Sequence, residues 1–227
     1  MEKDITIVHD AKELRGRISI QPQTKSWVIF AHGSGSSHKS PRNNWVANEL
    51  NKRGHSTLLF DLLTPQEDEI YRNRFNLLLL AERLMAATKW LLKSSYYHGE
   101  PFAYFGASTG AGAALIAAAM QSDNSKLFTV ISRGGRPDLA GELALEQTSV
   151  PVLLIVGSLD KDVITLNEVA QKYLLEAKLE LVAGATHLFE ERGKLGEVVE
   201  LCSMWLDQQL DRWNESKAFS DEPRPYS

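Results

Sequence analysis

A single cysteine, Cys202, occurs in 227 residues, so no internal disulfide can form and a cysteine-based zinc site is excluded. Charge of one sign is also scarce. Lys and Arg number 25 against 29 Asp and Glu, a net charge of −4 at pH 7, with a pI of about 5.9. No basic surface for nucleic acid is expected from such a balance. Long hydrophobic runs are missing too. No stretch approaches the roughly 18 continuous apolar residues of a membrane span, so no membrane partner is expected. The opening MEKDITIVHD is charged and lacks the apolar centre of a secretory signal, which makes a cytoplasmic location the expectation. The sequence contains no HExxH, no clustered His/Asp spacing and no G-x-x-x-x-G-K-[ST] loop, so neither a metal nor another cofactor is expected.

What is present is an ordinary globular composition, with 43% apolar and 24% charged residues. The length suits one α/β domain. Short runs rich in Val, Ile, Leu and Phe, each closed by glycine or polar residues, predict strands within 27–33, 56–63, 101–106, 126–135, 150–158 and 179–184. Such continuous apolar runs suit parallel strands covered on both faces. The pieces 4–8 and 15–20 add an antiparallel pair at the start. Helical patterns fall between the strands, over 41–53, 74–93, 110–121, 165–176 and 196–213. In the first of these Trp45, Val46 and Leu50 share a face. The alternation predicts a doubly wound, mainly parallel sheet flanked by helices, forming a single domain over 1–213. The polar, proline-containing stretch 214–227 is expected to be a loose tail.

In an open parallel sheet, function sits at the carboxyl ends of the strands. Ser108 follows the strand at 101–105, inside G-A-S-T-G (106–110), and a run of small apolar residues comes next. This is a G-x-S-x-G pattern between a predicted strand and a predicted helix. Its physical logic is a tight, strained turn: Gly106 and Gly110 let strand and helix approach, and the serine oxygen is raised at a helix N-terminus. A serine nucleophile needs a base, and the base needs an orienting carboxylate. Asp160 in VGSLDKDV and His187 in AGATHLF follow later strands in the chain order Ser, Asp, His. Asp162 is a rival acid, further from the strand end, and Asp160 has the competing reading of a helix N-cap. The developing oxyanion needs two N–H donors. Thr109, directly after the nucleophile, supplies one; the loop after strand 27–31 supplies the other, through Ser34, with Gly33 shaping the turn.

These residues resemble the α/β-hydrolase superfamily, and within it the small dienelactone hydrolase-like group. The anchors are HGSGSS (32–37), GASTG (106–110), GSLDKDV (157–163) and GATHLF (184–189), and the likeness spans roughly 25–210. It implies an α/β-hydrolase fold and hydrolysis of an ester-like bond. Dienelactone hydrolases use a cysteine nucleophile, whereas position 108 is serine. The connection between 126–132 and 150–157 is short, so no sizeable cap is expected and the site should be open.

The function expected is therefore a cofactor-independent serine hydrolase of a small-molecule ester, thioester or lactone. Two other readings stay open: a ligand- or partner-binding scaffold with an idle triad, and an acyltransferase using the same triad. Arg133 and Arg136, in SRGGRPD, follow a strand end and would suit an anionic substrate, or else pair with carboxylates such as Asp138 or Glu142. His32 reads as a structural hydrogen-bonding group and His38 as solvent-facing. Arg72 and Arg74 read as surface or loop anchors, and Cys202 as core.

Overall fold

The computed structural model describes residues 1–121 and 126–220. Eight strands form one sheet: β1 (Glu2–His9), β2 (Lys12–Ser19), β3 (Trp27–Ala31), β4 (Ser56–Phe60), β5 (Phe102–Ala107), β6 (Leu127–Arg133), β7 (Val152–Gly157) and β8 (Ala177–Val182). Their spatial order is β1-β2-β4-β3-β5-β6-β7-β8. The first two pairings, β1 with β2 and β2 with β4, are antiparallel; all the others are parallel. The helices are α1 (Pro41–Lys52), α2 (Pro65–Asp68), α3 (Leu77–Lys93), α4 (Thr109–Ala119), α5 (Glu142–Gln147), α6 (Lys161–Gln171) and α7 (Lys194–Ser220). Short 3₁₀ turns cover Tyr71–Phe75 and Pro137–Ala140. Among the described residues, no helix is long and apolar enough to cross a membrane.

The central strands β3, β5, β6 and β7 are buried along their whole length. Helices cover both of their faces, which is why their sequences read as unbroken apolar runs. Side chains alternate across the sheet. In β3, Trp27, Ile29 and Ala31 join Leu80, Leu84, Ala113 and Ala117 of α3 and α4, while Val28 and Phe30 join Val46 and Leu50 of α1 and Cys202 and Leu206 of α7. Each large side chain removed from water in this way contributes about 1.5–3 kcal/mol.

Local chemistry sets the helix starts. The Ser40 side chain accepts from the Asn43 N–H and Pro41 occupies the first turn of α1; Asn76 caps α3 through the Leu79 N–H. Several features of the helices differ from the sequence reading. Trp45 is 41% exposed, so the buried face of α1 runs through Asn43, Val46, Ala47 and Leu50 instead. The first residues expected in α3 form the separate 3₁₀ turn Tyr71–Phe75. Helix α6 begins at Lys161, because its buried stripe is Val163, Asn167 and Ala170, spaced as one helical face. Helix α7 continues through 214–220, the stretch expected to be a loose tail, while 221–227 lie outside the described residues.

Candidate active site

Ser108 stands between β5 and α4 with φ 51° and ψ −122°. A positive φ in a residue with a Cβ costs about 1–3 kcal/mol and persists only where neighbours hold it. Three backbone hydrogen bonds do so. The Ser108 N–H donates to Arg133 O at 3.3 Å, and Ser108 O accepts from the Ala111 N–H and the Arg136 N–H, both at 3.0 Å. The two motif glycines permit the close approach. A Cβ on Gly106 would lie 2.4 Å from Ala111 Cα, and one on Gly110 would lie 2.1 Å from Ala31 O.

Asp160 and His187 come together at the same carboxyl edge. His187 Nδ1 and Asp160 Oδ2 are 2.6 Å apart. An ionised carboxylate only accepts, so the ring proton sits on Nδ1 and Nε2 is left free to take a proton. Asp160 occupies the N-cap position of α6 but makes no side-chain capping bond; its carboxylate is spent on the imidazole. The rival Asp162 lies exposed in the first turn of α6.

The loop carrying His187 is tied on two sides. The Thr186 N–H and hydroxyl both donate to Glu191 Oε1, at 3.1 and 2.6 Å. The Leu159 N–H donates to Ala185 O at 3.0 Å, joining this loop to the one that carries Asp160. A Cβ on Gly134 would meet His187 O at 2.9 Å. The His187 loop therefore rests on the loop whose Arg133 and Arg136 backbone groups clamp Ser108. Among the described residues the Ser108 hydroxyl makes no hydrogen bond, neither to His187 nor to its helix.

The donors expected for an oxyanion lie beside this turn. Thr109 is the first residue of α4, so its N–H has no intrahelical acceptor. Its hydroxyl is buried and has no partner among the described residues. Gly33 lies against Ser108: a Cβ there would be 3.1 Å from Ser108 Cβ and 3.8 Å from Ser108 Oγ. Ser34 follows it, exposed, and its N–H makes no backbone hydrogen bond among the described residues. His32 holds the loop in place. Its Nε2 accepts from the Leu62 N–H at 3.0 Å and its Nδ1 donates to Gly33 O at 2.9 Å. Burial pushes its pKa down, in keeping with a neutral, structural ring.

The other expectations separate. His38 does not face solvent; it bonds Asp61 Oδ1 at 2.8 Å through both its ring Nδ1 and its backbone N–H, tying the loop after β3 to the end of β4. Arg136 is committed to Asp138 through two bonds of 2.8 and 2.7 Å, which uses the fork that would have bound an anion. Arg74 anchors its loop on Asp68, and Arg72 is exposed. Cys202 is fully buried, and burial pushes its thiol up to about 12. Arg133 is buried and bonds Asn43 Oδ1 at 3.2 Å. Asn43, Asp61 and Glu191 escaped the sequence reading. Each acts across a distance in the chain, or a loop, that carries no periodic signal. A groove of about 1060 Å³ between β1 and α3, lined by Val8, Met85, Trp90 and Tyr96, shares no residue with this edge.

No protein-family model matches the chain. A dienelactone hydrolase of known structure from Anabaena variabilis is 44% identical, with a TM-score of 0.86; 92% of this chain covers 97% of it. Est1E from Butyrivibrio proteoclasticus shares the fold at 18% identity, with a TM-score of 0.78 and coverage of 92% of this chain and 99% of that one. A Mycobacterium tuberculosis protein with the provisional name phosphoribosyl transferase is 45% identical over 210 residues, 92% of this chain and 47% of its own length. The chain thus spans about half the length of the curated relatives it matches. The sheet order, the uncapped β6–β7 connection and this likeness agree: the chain belongs to the dienelactone hydrolase family of the α/β-hydrolase fold.

Proposed function

We propose that this protein is a serine hydrolase acting on small esters, thioesters or lactones, with Ser108, His187 and Asp160 as its triad. The observation that carries the proposal is the 2.6 Å His187–Asp160 pair at the edge where Ser108 stands on a strained turn. His187 Nε2 takes the hydroxyl proton as Ser108 Oγ attacks the carbonyl carbon. The oxyanion that forms accepts from the Thr109 and Ser34 N–H groups, each such donor accounting for roughly 10²–10³ in rate. His187 then gives its proton to the leaving oxygen or sulfur, and the acyl group stays on Ser108. In the second half His187 takes a proton from water, the hydroxide attacks the acyl carbon, and the proton returns to Ser108 as the acid departs. Asp160 keeps the imidazole oriented and stabilises its charged form in both halves.

An open site fits small substrates. Between β6 and β7 the chain forms only the 3₁₀ turn Pro137–Ala140 and the six-residue α5, too little to enclose a long acyl chain. The test compares wild type with Ser108→Ala on p-nitrophenyl acetate, together with labelling by a fluorophosphonate. Turnover should fall by about 10³-fold or more and labelling of the wild type should map to Ser108. Equal turnover in the variant, or a folded wild type that resists the label, would replace the hydrolase with a binding scaffold.

A further inference from the structure

The sheet ends on β8, and the outer edge of that strand is open. The Glu176 and Val182 oxygens accept from the Val152 and Ser158 N–H groups, at 2.9 and 3.0 Å, so the even-numbered residues turn their backbone toward β7. Successive residues of a strand alternate, which turns the backbone groups of Ala177, Leu179 and Leu181 outward. The Gln171 side chain donates to the Ala177 oxygen at 3.0 Å. Among the described residues, nothing bonds the outward N–H and C=O groups of Leu179 and Leu181.

A bare edge invites another strand, and proteins blunt it with charge, proline or a bulge. β1, at the other end of the sheet, opens with the charged run Glu2, Lys3, Asp4, which puts charge on both of its faces. β8 is not blunted in this way. It contains no proline, and its pairing with β7 runs without a break from Ala177 to Val182. Its charges, Lys178 and Glu180, share one face and neutralise each other at 2.7 Å. The other face carries the row Ala177, Leu179, Leu181. Leu181 stays 48% exposed there, and Leu175, just before the strand, is 79% exposed.

The strand AKLELV is its own antiparallel complement. A two-fold axis at Leu179 sets that residue against its own copy, Ala177 against Leu181, and Lys178 against Glu180. The backbone agrees with this register. The pairs made by Ala177, Leu179 and Leu181 are those whose N–H and C=O groups point outward, so each can exchange two hydrogen bonds. Lys178 and Glu180 then fall at the non-bonded positions, where opposing side chains come closest. A shift of one residue sets outward groups against inward ones. A shift of two restores the bonds but sets Lys178 against Lys178, or Glu180 against Glu180, and like charges directly opposite repel.

We propose that β8 is a self-association edge, on which two copies of this chain pair antiparallel about Leu179 into a two-fold dimer with one continuous sheet. The apolar rows meet on the side where Ala177 and Leu179 already pack with Ala170 and Leu174, and Leu181 is covered by Ala177 of the partner subunit. This proposal does not rest on the hydrolase reading.

The test is sedimentation velocity with light scattering on the full chain across a concentration series. Wild type should run at twice 25.4 kDa and dissociate on dilution. Lys178→Glu and Glu180→Lys, which set like charges opposite each other, should each weaken the dimer about tenfold or more. The double variant is again self-complementary and should restore it. Leu181→Lys should weaken it as the single reversals do. Under mild oxidation Leu179→Cys should give a disulfide-linked dimer, because the axis sets its Cα atoms about 5.5 Å apart, within disulfide reach. Leu175→Cys, more exposed but far from the axis, should not cross-link, and buried Cys202 does not compete. A wild type that stays monomeric at every concentration overturns the proposal. So does a dimer that the single reversals leave intact, or a double variant that remains as weak as they are. Should a charge variant fail to fold, the two cysteine variants decide, and equal cross-linking in both, or none in Leu179→Cys, overturns the register. Because no readout involves turnover, this proposal and the hydrolase reading fail separately.

Discussion

Asp160 stands where an aspartate ordinarily caps a helix, yet its carboxylate lies 2.6 Å from His187 Nδ1 and makes no bond to α6. Asp160→Asn keeps the shape and the N-cap position while removing the charge that selects the tautomer. The expected result is a fall in kcat on p-nitrophenyl acetate of about 10³–10⁴-fold, with little change in Tm. Asp162→Asn, exposed in the first turn of α6, should leave kcat within about twofold. Equal losses in the two variants would mean that the acid has been misassigned.

Gly110 is a matter of stability. A methyl group there would lie 2.1 Å from Ala31 O, a backbone atom of a fully buried strand that cannot swing aside. Gly110→Ala should cost about 3 kcal/mol or more, or roughly 6–12 °C in Tm for a chain of this size. A melting curve matching wild type would show that α4 can slide away from β3.

Gly33 is a matter of activity. A Cβ at this position would meet Ser108 Cβ at 3.1 Å and Ala107 O at 3.2 Å, a tight but not prohibitive approach that falls on the Ser108 turn itself. Gly33→Ala is expected to lower kcat at least tenfold while shifting Tm by only a few degrees. The reverse pattern, a large loss of stability with kcat retained, would count against any place for this loop at the reacting centre.

His55 sets a pH dependence of stability. It is fully buried, its Nδ1 lies 2.9 Å from Ser26 Oγ and its Nε2 has no partner among the described residues; burial pushes its pKa down from 6.5 to about 4. Between those values the unfolded chain takes up a proton that the folded one refuses. Stability is therefore complete above pH 6.5 and is lost as pH falls toward 4, by roughly 3 kcal/mol from this group. His32, depressed by the same cause, acts in the same direction. Urea denaturation at pH 7.5 and 4.5 measures the loss, and His55→Gln should flatten it. An unchanged slope in that variant would remove His55 from the explanation.

Much of this molecule is written locally. The runs at 27–31, 102–107 and 152–157 are apolar because both faces of a parallel strand are covered, and G-A-S-T-G is glycine-flanked because Ala111 and Ala31 come within contact of its backbone. The positions of Ser108, Asp160 and His187 are legible for the same reason: each lies in the loop that follows a strand end, and parallel strands put those ends on one edge. The contact of His38 is not legible because its partner, Asp61, comes from a different strand end, and the start of α6 is not legible because its N-cap, Asp160, lies in the loop after a strand end.

By itself, then, the sequence determined the order of the elements, the tight turn at Ser108 and the three residues placed at strand ends, all of which depend on neighbours a few positions apart. Tertiary structure alone decided what the charged groups do. It gave Asp138 to Arg136, Asp61 to His38 and Glu191 to Thr186, and it left Arg133 buried beside Arg42 with no carboxylate among the described residues. The physical reason is that a charge acts on whatever the fold brings within a few ångströms of it, and spacing along the chain does not encode that distance.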